Sequence, residues 1–433
     1  MTSARIVSRQ AGGRPGAQAS PLAGYAPAEA PACVPAHAPT DLPAQHSHPG
    51  AAGVVQRAAD TQPNSNACRC GRPLAFDDTR CPACRTPQGY DPQAREMLPL
   101  DAVHNDRLEP VVAATARYRR CSRLDTAAAC NWLVAEGDVR AGVSPLCRSC
   151  RLTRVLPDLS QPGAAGWWHD IERAKRRLVA TLIGLQLPVR GRDEDATNGL
   201  AFDLLRAEPG APAVRSGQAN GVVTVDVEAA DDAWRRQLCM AQGRPYRSLW
   251  ADLCHDSAGA YWQTLVANGP WQKPCRDVFG DEGVDHATAM RLHERNGAMA
   301  GWATRFISSF ASSHPAEDWA ETWAAYLHMV DTLETARGYG LGSDRLMAVN
   351  DLLDTPLGAP GLPSAGDPAV AWSDGPQADD FARLVRQWQG LAHVLNALSH
   401  SMGVADAEPR TLPPPVLRKL FLVHSVIAAA RER

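Results

Sequence analysis

The sequence predicts an α+β protein, in which a cysteine-rich module held by metal precedes a mainly α-helical domain with a small β-sheet. Three observations lead to this prediction. Eight of the twelve cysteines lie between Cys68 and Cys150, mostly in close pairs. The stretch from Val222 to Val227 (VVTVDV) is β-branched and alternating, which is typical of a strand. From Asp231 to the end of the sequence, apolar residues recur predominantly at helical spacing.

Length and composition limit the possible classes of protein. A chain of 433 residues is too long for one ordinary domain, and a hydrophobic content of 45% is ample for a sizeable core. The formal net charge of -3 does not suggest wholesale binding to nucleic acid or to an anionic membrane. No apolar run approaches the ~20 residues needed to cross a bilayer, and no apolar segment follows the basic N-terminal residues. We therefore expect a cytoplasmic protein without membrane association.

Changes in amino-acid composition and pattern divide the sequence into three parts. Residues 1–65 are rich in Ala, Pro and Gly with few large apolar side chains, so we expect a disordered tail. Residues 66–160 form the cysteine-rich region, with short turns around the cysteine pairs, and residues 161–433 form the helical domain. Helical patterns cover residues 172–187, 380–401 and 415–431, and loop-like patterns cover residues 191–217 and 355–378.

The first cysteine cluster has the spacing of a zinc ribbon. One residue separates Cys68 from Cys70, two separate Cys81 from Cys84, and ten lie between the pairs. Zinc prefers four tetrahedral ligands, and thiolates suit it well. The alternative is a set of free surface thiols. We favour a four-cysteine zinc site, because such clusters in a reducing compartment are metal ligands more often than disulfides.

The second cluster consists of Cys121, Cys130, Cys147 and Cys150. Its CRSC segment is a standard knuckle, while the other pair is more widely spaced. We predict a second four-cysteine zinc site here. Four thiolates leave no open coordination position, so both zinc ions would be structural and would hold small modules in their fold. Four further cysteines stand alone and are interpreted as ordinary residues: Cys33, Cys239, Cys254 and Cys275.

Zinc ribbons often bind nucleic acid, so the charge of this region matters. Between Cys68 and Arg190 there are 19 basic and 13 acidic side chains. Two four-thiolate zinc centres would cut that excess to roughly +2, which is a weak footprint for a nucleic-acid-binding protein. The basic run of Arg173, Lys175, Arg176 and Arg177 is interpreted as a solvated helix face. We therefore do not expect nucleic acid as a partner.

Several longer motifs resemble one family. The sequence resembles bacterial zinc-binding metallopeptidases that carry an N-terminal zinc ribbon, over about residues 66 to 433. The stretches that carry the resemblance are CRCGRPLAF, CRSCRLTRVLPDLS, WWHDIERAKRRL, ANGVVTVDV, PYRSLWADLCHD, FGDE, HPAEDWAETWAAYLHMVDTLETA and LRKLFLVH.

The resemblance implies a gluzincin-type site in the helical domain. In such a site one helix carries His-Glu-x-x-His, in which two His at i and i+4 share a face and can hold one zinc ion. The Glu between them serves as the general base, and a Glu on a later helix completes the three protein ligands. A further acid one turn on can orient a ligand His.

The catalytic helix of this chain departs from that pattern, because it reads LCHDSAGAYW. His255 matches the first zinc ligand. Asp256 replaces the Glu base with a side chain one methylene shorter, and Gly259 replaces the second His. Of the three motif positions on this helix, one therefore keeps its imidazole, one has a shorter carboxylate, and one has no side chain.

Downstream, Glu317 matches the third ligand, and Glu321 matches the acid one turn on that can orient a ligand His. Phe310 stands seven residues before Glu317, where related gluzincins have a Tyr whose hydroxyl could stabilise an oxyanion. A neighbouring histidine could replace the missing ligand if the fold brings it close to the metal; the candidates are His286, His293, His314 and His328.

These departures predict a catalytically impaired protein that keeps two structural zinc ions and a cleft for a peptide or protein, with a degenerate catalytic site at His255, Asp256 and Glu317. Two other interpretations stay open: an active peptidase with a non-standard ligand set, and a zinc-ribbon adaptor that binds protein or nucleic acid. Without the resemblance, His255 would be an ordinary helix histidine, and Glu317 with Glu321 an acidic stripe. Trp319, Trp323 and Tyr326 are interpreted as core. The sequence names neither a substrate nor an oligomeric state.

Overall fold

The computed structural model describes residues 67–103, 107–110, 117–139, 145–207, 214, 216–241, 247–353, 376–409 and 411–431. The predicted tail of residues 1–65 lies outside these described residues. So do residues 355–375, which make up most of the second predicted loop.

The cysteine-rich region is built on a five-stranded antiparallel sheet in the order β1-β2-β3-β4-β5. The sequence predicted only short turns here. The strands are short and turn residues separate them, so they leave little periodic pattern in the sequence. A backbone hydrogen bond of 3.0 Å from Tyr90 to Asn131 ties the first strand to the segment before the last. The strands are β1 (Gln88–Asp91), β2 (Glu96–Val103), β3 (Arg107–Pro110), β4 (Tyr118–Arg120) and β5 (Leu133–Ala135).

A second, four-stranded sheet lies in the order β6-β7-β9-β8. Its strands are β6 (Thr153–Val155), β7 (Ala201–Leu205), β8 (Gly217–Ala219) and β9 (Val222–Asp226). β7 is parallel to β6 and β9, while β8 is antiparallel to β9 and forms one edge. The strand predicted at 222–227 is confirmed as β9. The loop predicted at 191–217 is wrong where β7 lies, because a short run of four apolar residues around Asp203 is ambiguous from periodicity alone.

Helices make up most of the chain after residue 231, as the sequence predicted. The three helices predicted at 172–187, 380–401 and 415–431 are confirmed with somewhat different ends. The helices are α1 (Arg148–Arg151), α2 (Ala164–Gly184), α3 (Asp232–Ala241), α4 (Leu249–Tyr261), α5 (Gln272–Phe279), α6 (His286–Asn296), α7 (Pro315–Gly338), α8 (Ser343–Leu353), α9 (Pro376–Ser401) and α10 (Pro414–Arg431).

Local sequence explains where the central helices begin. The Ser248 hydroxyl accepts a hydrogen bond from the backbone N–H of Ala251 and so caps α4. α7 begins at Pro315, whose fixed φ suits the first helical position, and the ring of His314 accepts from the N–H of Ala316. These two caps set where the helices that carry the peptidase-like site begin.

α4 and α7 pack against each other through large aromatic side chains. Trp319 and Trp323 each donate an indole N–H at 3.1 Å, to the carbonyl of Ala258 and the hydroxyl of Ser257 respectively. Trp319, Trp323 and Tyr326 are all at most 2% exposed, which confirms their prediction as core. In the described part of the chain, no helix has the length and apolar content that a membrane crossing needs.

The basic run on α2 is not a solvated face, so that prediction is wrong for half of its residues. Lys175 and Arg176 are 0% and 1% exposed, whereas Arg173 and Arg177 lie on the outside. Arg176 donates to the carbonyl of Ala128 in the cysteine-rich region. The cysteine-rich region packs onto this side of α2, and the two share one hydrophobic core.

Candidate functional site

The first cysteine tetrad joins the two predicted pairs. The Sγ atoms of Cys68 and Cys84 are 3.4 Å apart, and those of Cys70 and Cys81 are 3.7 Å apart. All four sulfurs lie within 4.8 Å of one another. Tetrahedral zinc with bonds of about 2.3 Å would place its sulfurs about 3.8 Å apart. The tetrad therefore has the dimensions of a zinc site.

Neighbouring polar groups favour the thiolate form of Cys84 in this tetrad. The Thr86 hydroxyl lies 3.1 Å from the sulfur of Cys84, and the Gln88 amide donates to the sulfur of Cys68 at 3.3 Å. The side-chain and then the backbone hydrogen bond of Thr86 lower the pKa of Cys84 to about 6. Metal binding requires deprotonated cysteine, so these hydrogen bonds prepare Cys84 for an ion, whereas burial raises the pKa of Cys68 to about 11.

The second tetrad is completely enclosed. Its four members, Cys121, Cys130, Cys147 and Cys150, are each at most 1% exposed, and their sulfurs also lie within 4.8 Å of one another. The sulfurs of Cys130 and Cys147 are 3.7 Å apart. α1 begins directly after Cys147, whose sulfur accepts the N–H of Cys150 at 3.4 Å. Both tetrads predicted from sequence spacing are thus formed, and both fit zinc.

A buried charged network links the second tetrad to α2. One oxygen of Glu172 lies 3.9 Å from the sulfur of Cys150, and the other accepts from Thr153 at 2.7 Å and Lys175 at 2.9 Å. Arg123 lies 3.8 Å from the same carboxylate. Burial alone would raise the pKa of Glu172, but the charge and hydrogen bond of Lys175 lower it, so Glu172 is ionised. A cation of the helical domain therefore balances the acid beside the cysteine centre.

The lone cysteines do not join either tetrad. Cys254 and Cys275 are fully buried and Cys239 is partly buried. Burial raises the pKa of both Cys254 and Cys275, to about 12 in the latter, so both are neutral thiols. Cys33 lies outside the described residues.

The peptidase-like site forms where α4 meets the start of α7. His255 Nε2 lies 3.0 Å from one oxygen of Glu317 and 3.5 Å from an oxygen of Glu321. His255 Nδ1 lies 3.4 Å from the carboxylate of Asp256. The fold therefore brings together His255, Asp256, Glu317 and Glu321, as the resemblance implied.

A second imidazole reaches Glu317 from α6. His286 Nε2 lies 2.6 Å from the other oxygen of Glu317, so each carboxylate oxygen faces one histidine nitrogen. Burial would raise the pKa of Glu317, but its contacts with His255 and then His286 lower it to about 2. Glu317 is therefore a carboxylate held between α4 and α6.

The position of the missing second ligand is filled by another side chain. A Cβ atom added to Gly259 would overlap a terminal atom of the Gln218 amide and would lie 2.8 Å from Cδ of that side chain. Gln218 belongs to β8, the edge strand beside α4. In the orientation that satisfies both ends of the amide, its oxygen accepts from the N–H groups of Asn220 and Gly221 at 3.1 and 2.7 Å. The turn after β8 thus holds Gln218 over the helix.

The other two positions that the family pattern defines, Glu321 and Phe310, also make contacts with other side chains. The guanidinium of Arg247 pairs with Glu321 and lies 5.8 Å from the centre of the Phe310 ring. The Phe310 ring in turn lies 6.2 Å from that of His255. An apolar ring therefore occupies the place from which a Tyr hydroxyl would act.

A zinc ion in the family's usual position does not fit these residues. A possible metal site needs three or more ligand atoms that all lie within 4.8 Å of one another. In the described part of the chain the two cysteine tetrads meet this condition, and His255 and Glu317 belong to neither. Sequence reasoning missed Gln218, which directly precedes the motif ANGVVTVDV, and Arg247, which lies within PYRSLWADLCHD but was assigned no role. It named His286 only as one of four nearby histidines.

The fold and the two kinds of site define a zinc-ribbon protein joined to a metallopeptidase-type helical domain. Residues 164–426 match the family described as "Putative zinc-binding metallo-peptidase", and residues 65–161 match a zinc-ribbon domain. The chain belongs to that zinc-binding metallopeptidase family.

The chain is also similar to uncharacterised proteins of Mycobacterium bovis and of two strains of Mycobacterium tuberculosis. Each is 34% identical over 359 residues, which cover 83% of this chain and 93% of the relative. No solved structure matches the chain.

Proposed function

We propose that this protein is a catalytically impaired, gluzincin-like member of the family, which keeps two structural zinc centres and uses its cleft to bind a peptide or protein segment. The observation that carries the proposal is the Gln218 side chain over Gly259. Loss of a ligand would leave an empty space beside α4 if nothing else had changed. Here the space is taken by a hydrogen-bonded amide, so the helix face is complete without a second imidazole.

Two further positions support impaired chemistry. The carboxylate of Asp256 is one methylene shorter than that of Glu, and a misplacement near 1 Å can cost about 100-fold in rate. Phe310 has no hydroxyl, and loss of one oxyanion donor typically costs roughly 100- to 1000-fold. Together with the missing ligand, these losses leave the site without a competent base, ion or oxyanion donor.

The contacts around the cleft favour a peptide or protein as the partner. β8 is an edge strand beside α4, and an exposed strand edge can pair with an extended segment through its main chain. Nucleic acid is less suitable, because Lys175 and Arg176 of the basic run are buried in the core. Cysteine tetrads with the dimensions of zinc sites suit the reducing cytoplasm, where we place the protein.

Restoration of the site tests the proposal. The variant carries Asp256→Glu, Gly259→His and Phe310→Tyr, made with and without Gln218→Ala, and is assayed on casein and a fluorogenic peptide library with added zinc. We expect the unaltered chain to show background cleavage only. Because Gln218 blocks the new imidazole, we expect cleavage by the fourfold variant to exceed that by the threefold variant.

The matched control adds His255→Ala to the fourfold variant and should return it to background. Chelator-sensitive cleavage by the unaltered chain, at a rate that the restored variant does not exceed, would refute the proposal. Cleavage that persists without His255 would show that the site has been assigned to the wrong residues.

A further inference from the structure

The two cysteine tetrads differ in their access to solvent. In the first tetrad, Cys70 and Cys84 are exposed. Its other two members, Cys68 and Cys81, are buried, as are all four members of the second tetrad. Zinc-bound cysteines are thiolates, and thiolate character together with exposure decides which cysteines an oxidant attacks. An oxidant in solution therefore reaches the first tetrad and not the second.

Each exposed cysteine of the first tetrad lies next to a buried one. The sulfur of Cys84 is 3.4 Å from that of Cys68. The sulfur of Cys70 is 3.7 Å from that of Cys81. A sulfenic acid formed on one cysteine condenses with a neighbouring thiol to give a disulfide. The first tetrad thus contains two pairs in which one sulfur can be oxidised from solution and the other is placed to form the disulfide.

We propose that the first tetrad is an oxidation site, at which hydrogen peroxide joins one exposed and one buried cysteine in a disulfide and so releases the zinc ion. The exposed thiolate attacks a peroxide oxygen: an S–O bond forms, the O–O bond breaks, and the leaving hydroxide takes up a proton to become water. The buried thiolate then attacks the sulfenic sulfur: the S–S bond forms, the S–O bond breaks, and hydroxide leaves with a second proton as water. Peroxide gains the two electrons that the two thiolates lose. Two thiolates then remain in place of the four ligands that zinc prefers, so the ion dissociates.

Loss of this ion changes the surface that the first tetrad supports. Between the two cysteine pairs, Leu74 is 3% exposed and the centre of the Phe76 ring lies 4.7 Å from that of Tyr90. Residues 73–77 also line a cavity of about 660 Å³, together with residues of α2, α4 and α7. A zinc module this small owes its fold to the metal. Oxidation therefore frees Leu74 and Phe76 and opens this cavity, whereas the second tetrad continues to hold the rest of the cysteine-rich region. The reaction is independent of the peptidase-like site.

The test treats the full zinc-loaded chain with hydrogen peroxide and follows released zinc with a chromophoric chelator. We expect loss of one of the two zinc ions, with a disulfide inside the first tetrad found by mass spectrometry. The second tetrad is the matched internal control and should keep its four cysteines reduced. Dithiothreitol with added zinc should restore the lost ion. Trypsin should cut the oxidised chain faster than the untreated chain at three arginines beside the first tetrad: Arg69, Arg80 and Arg85.

A variant that keeps four ligands but removes the exposed thiols separates this oxidation from general damage. Cys70→His with Cys84→His leaves two thiolates and two imidazoles, which is a common structural zinc set. An imidazole forms no disulfide and the two remaining sulfurs are buried, so this double variant should keep both zinc ions in peroxide. Release of no zinc from the unaltered chain, release of both ions at similar rates, or a disulfide in the second tetrad before one in the first would each overturn the inference. Zinc loss from the double variant as fast as from the unaltered chain would also overturn it. If the double variant does not fold, the measurements on the unaltered chain decide the outcome by themselves.

Discussion

Replacement of Lys175 by Met is the sharpest test of how the cysteine-rich region is joined to the helical domain. Lys175 and Glu172 are both 0% exposed and their charged atoms are 2.9 Å apart. Met keeps much of the side-chain volume but removes the charge. Glu172 would then lie beside the thiolates of the second tetrad with Arg123, at 3.8 Å, as its remaining cation.

The magnitude follows from the loss of one partner of a buried pair, which typically costs 3–5 kcal/mol. Because Arg123 still faces the carboxylate, we expect the lower end, about 3 kcal/mol. With an m value of about 3 kcal/mol/M, the urea midpoint should fall by about 1 M. The same change should speed the release of zinc from the second tetrad to a chromophoric chelator.

The matched control is Arg173→Met, two residues earlier on α2, where the side chain is 55% exposed. A surface substitution of this kind is usually within about 0.5 kcal/mol of neutral. Urea unfolding followed by tryptophan fluorescence compares the two variants. If Lys175→Met shifted the midpoint no more than Arg173→Met does, the buried network would be incorrectly assigned and α2 would carry a solvated basic face after all.

Three further outcomes are expected. After mild chelation the chain should keep two zinc ions; Cys150→Ser should lose one of them, whereas Cys254→Ala, which removes a buried thiol outside both tetrads, should keep both. Gly259→Ala should stabilise the chain by about 1 kcal/mol in a Gln218→Ala background but less, or not at all, in the unaltered chain, as measured by urea unfolding; equal effects would show that Gln218 does not cover Gly259. Burial, followed by the charge of Arg431, lowers the pKa of His424 to about 4, so the folded state resists its protonation and the stability it contributes is present above about pH 6.5 and falls by about 3 kcal/mol towards pH 4. His424→Gln should flatten this part of the stability profile, the exposed control His400→Gln should not, and an unchanged slope in His424→Gln would contradict the assignment.

The sequence was sufficient for features that depend on spacing or on a sustained pattern. Pairs of cysteines at fixed separations identified both tetrads, and the β-branched run at 222–227 identified β9. It was insufficient for the five-stranded sheet, since strands of three to eight residues broken by turns carry little periodicity. The burial of Lys175 could not be predicted from the sequence of α2 alone, because it depends on a surface that another part of the chain supplies.

The same reasoning explains which parts of the peptidase-like site needed coordinates. A motif fixes where a ligand should be, so the absence of an imidazole at Gly259 was evident from the sequence. The sequence could not show which side chain fills that place. Gln218 lies 41 residues earlier on an edge strand, and the sheet brings it to α4. A side chain that occupies the ligand position, with its oxygen bound by the turn that follows it, opposes the return of an imidazole at Gly259.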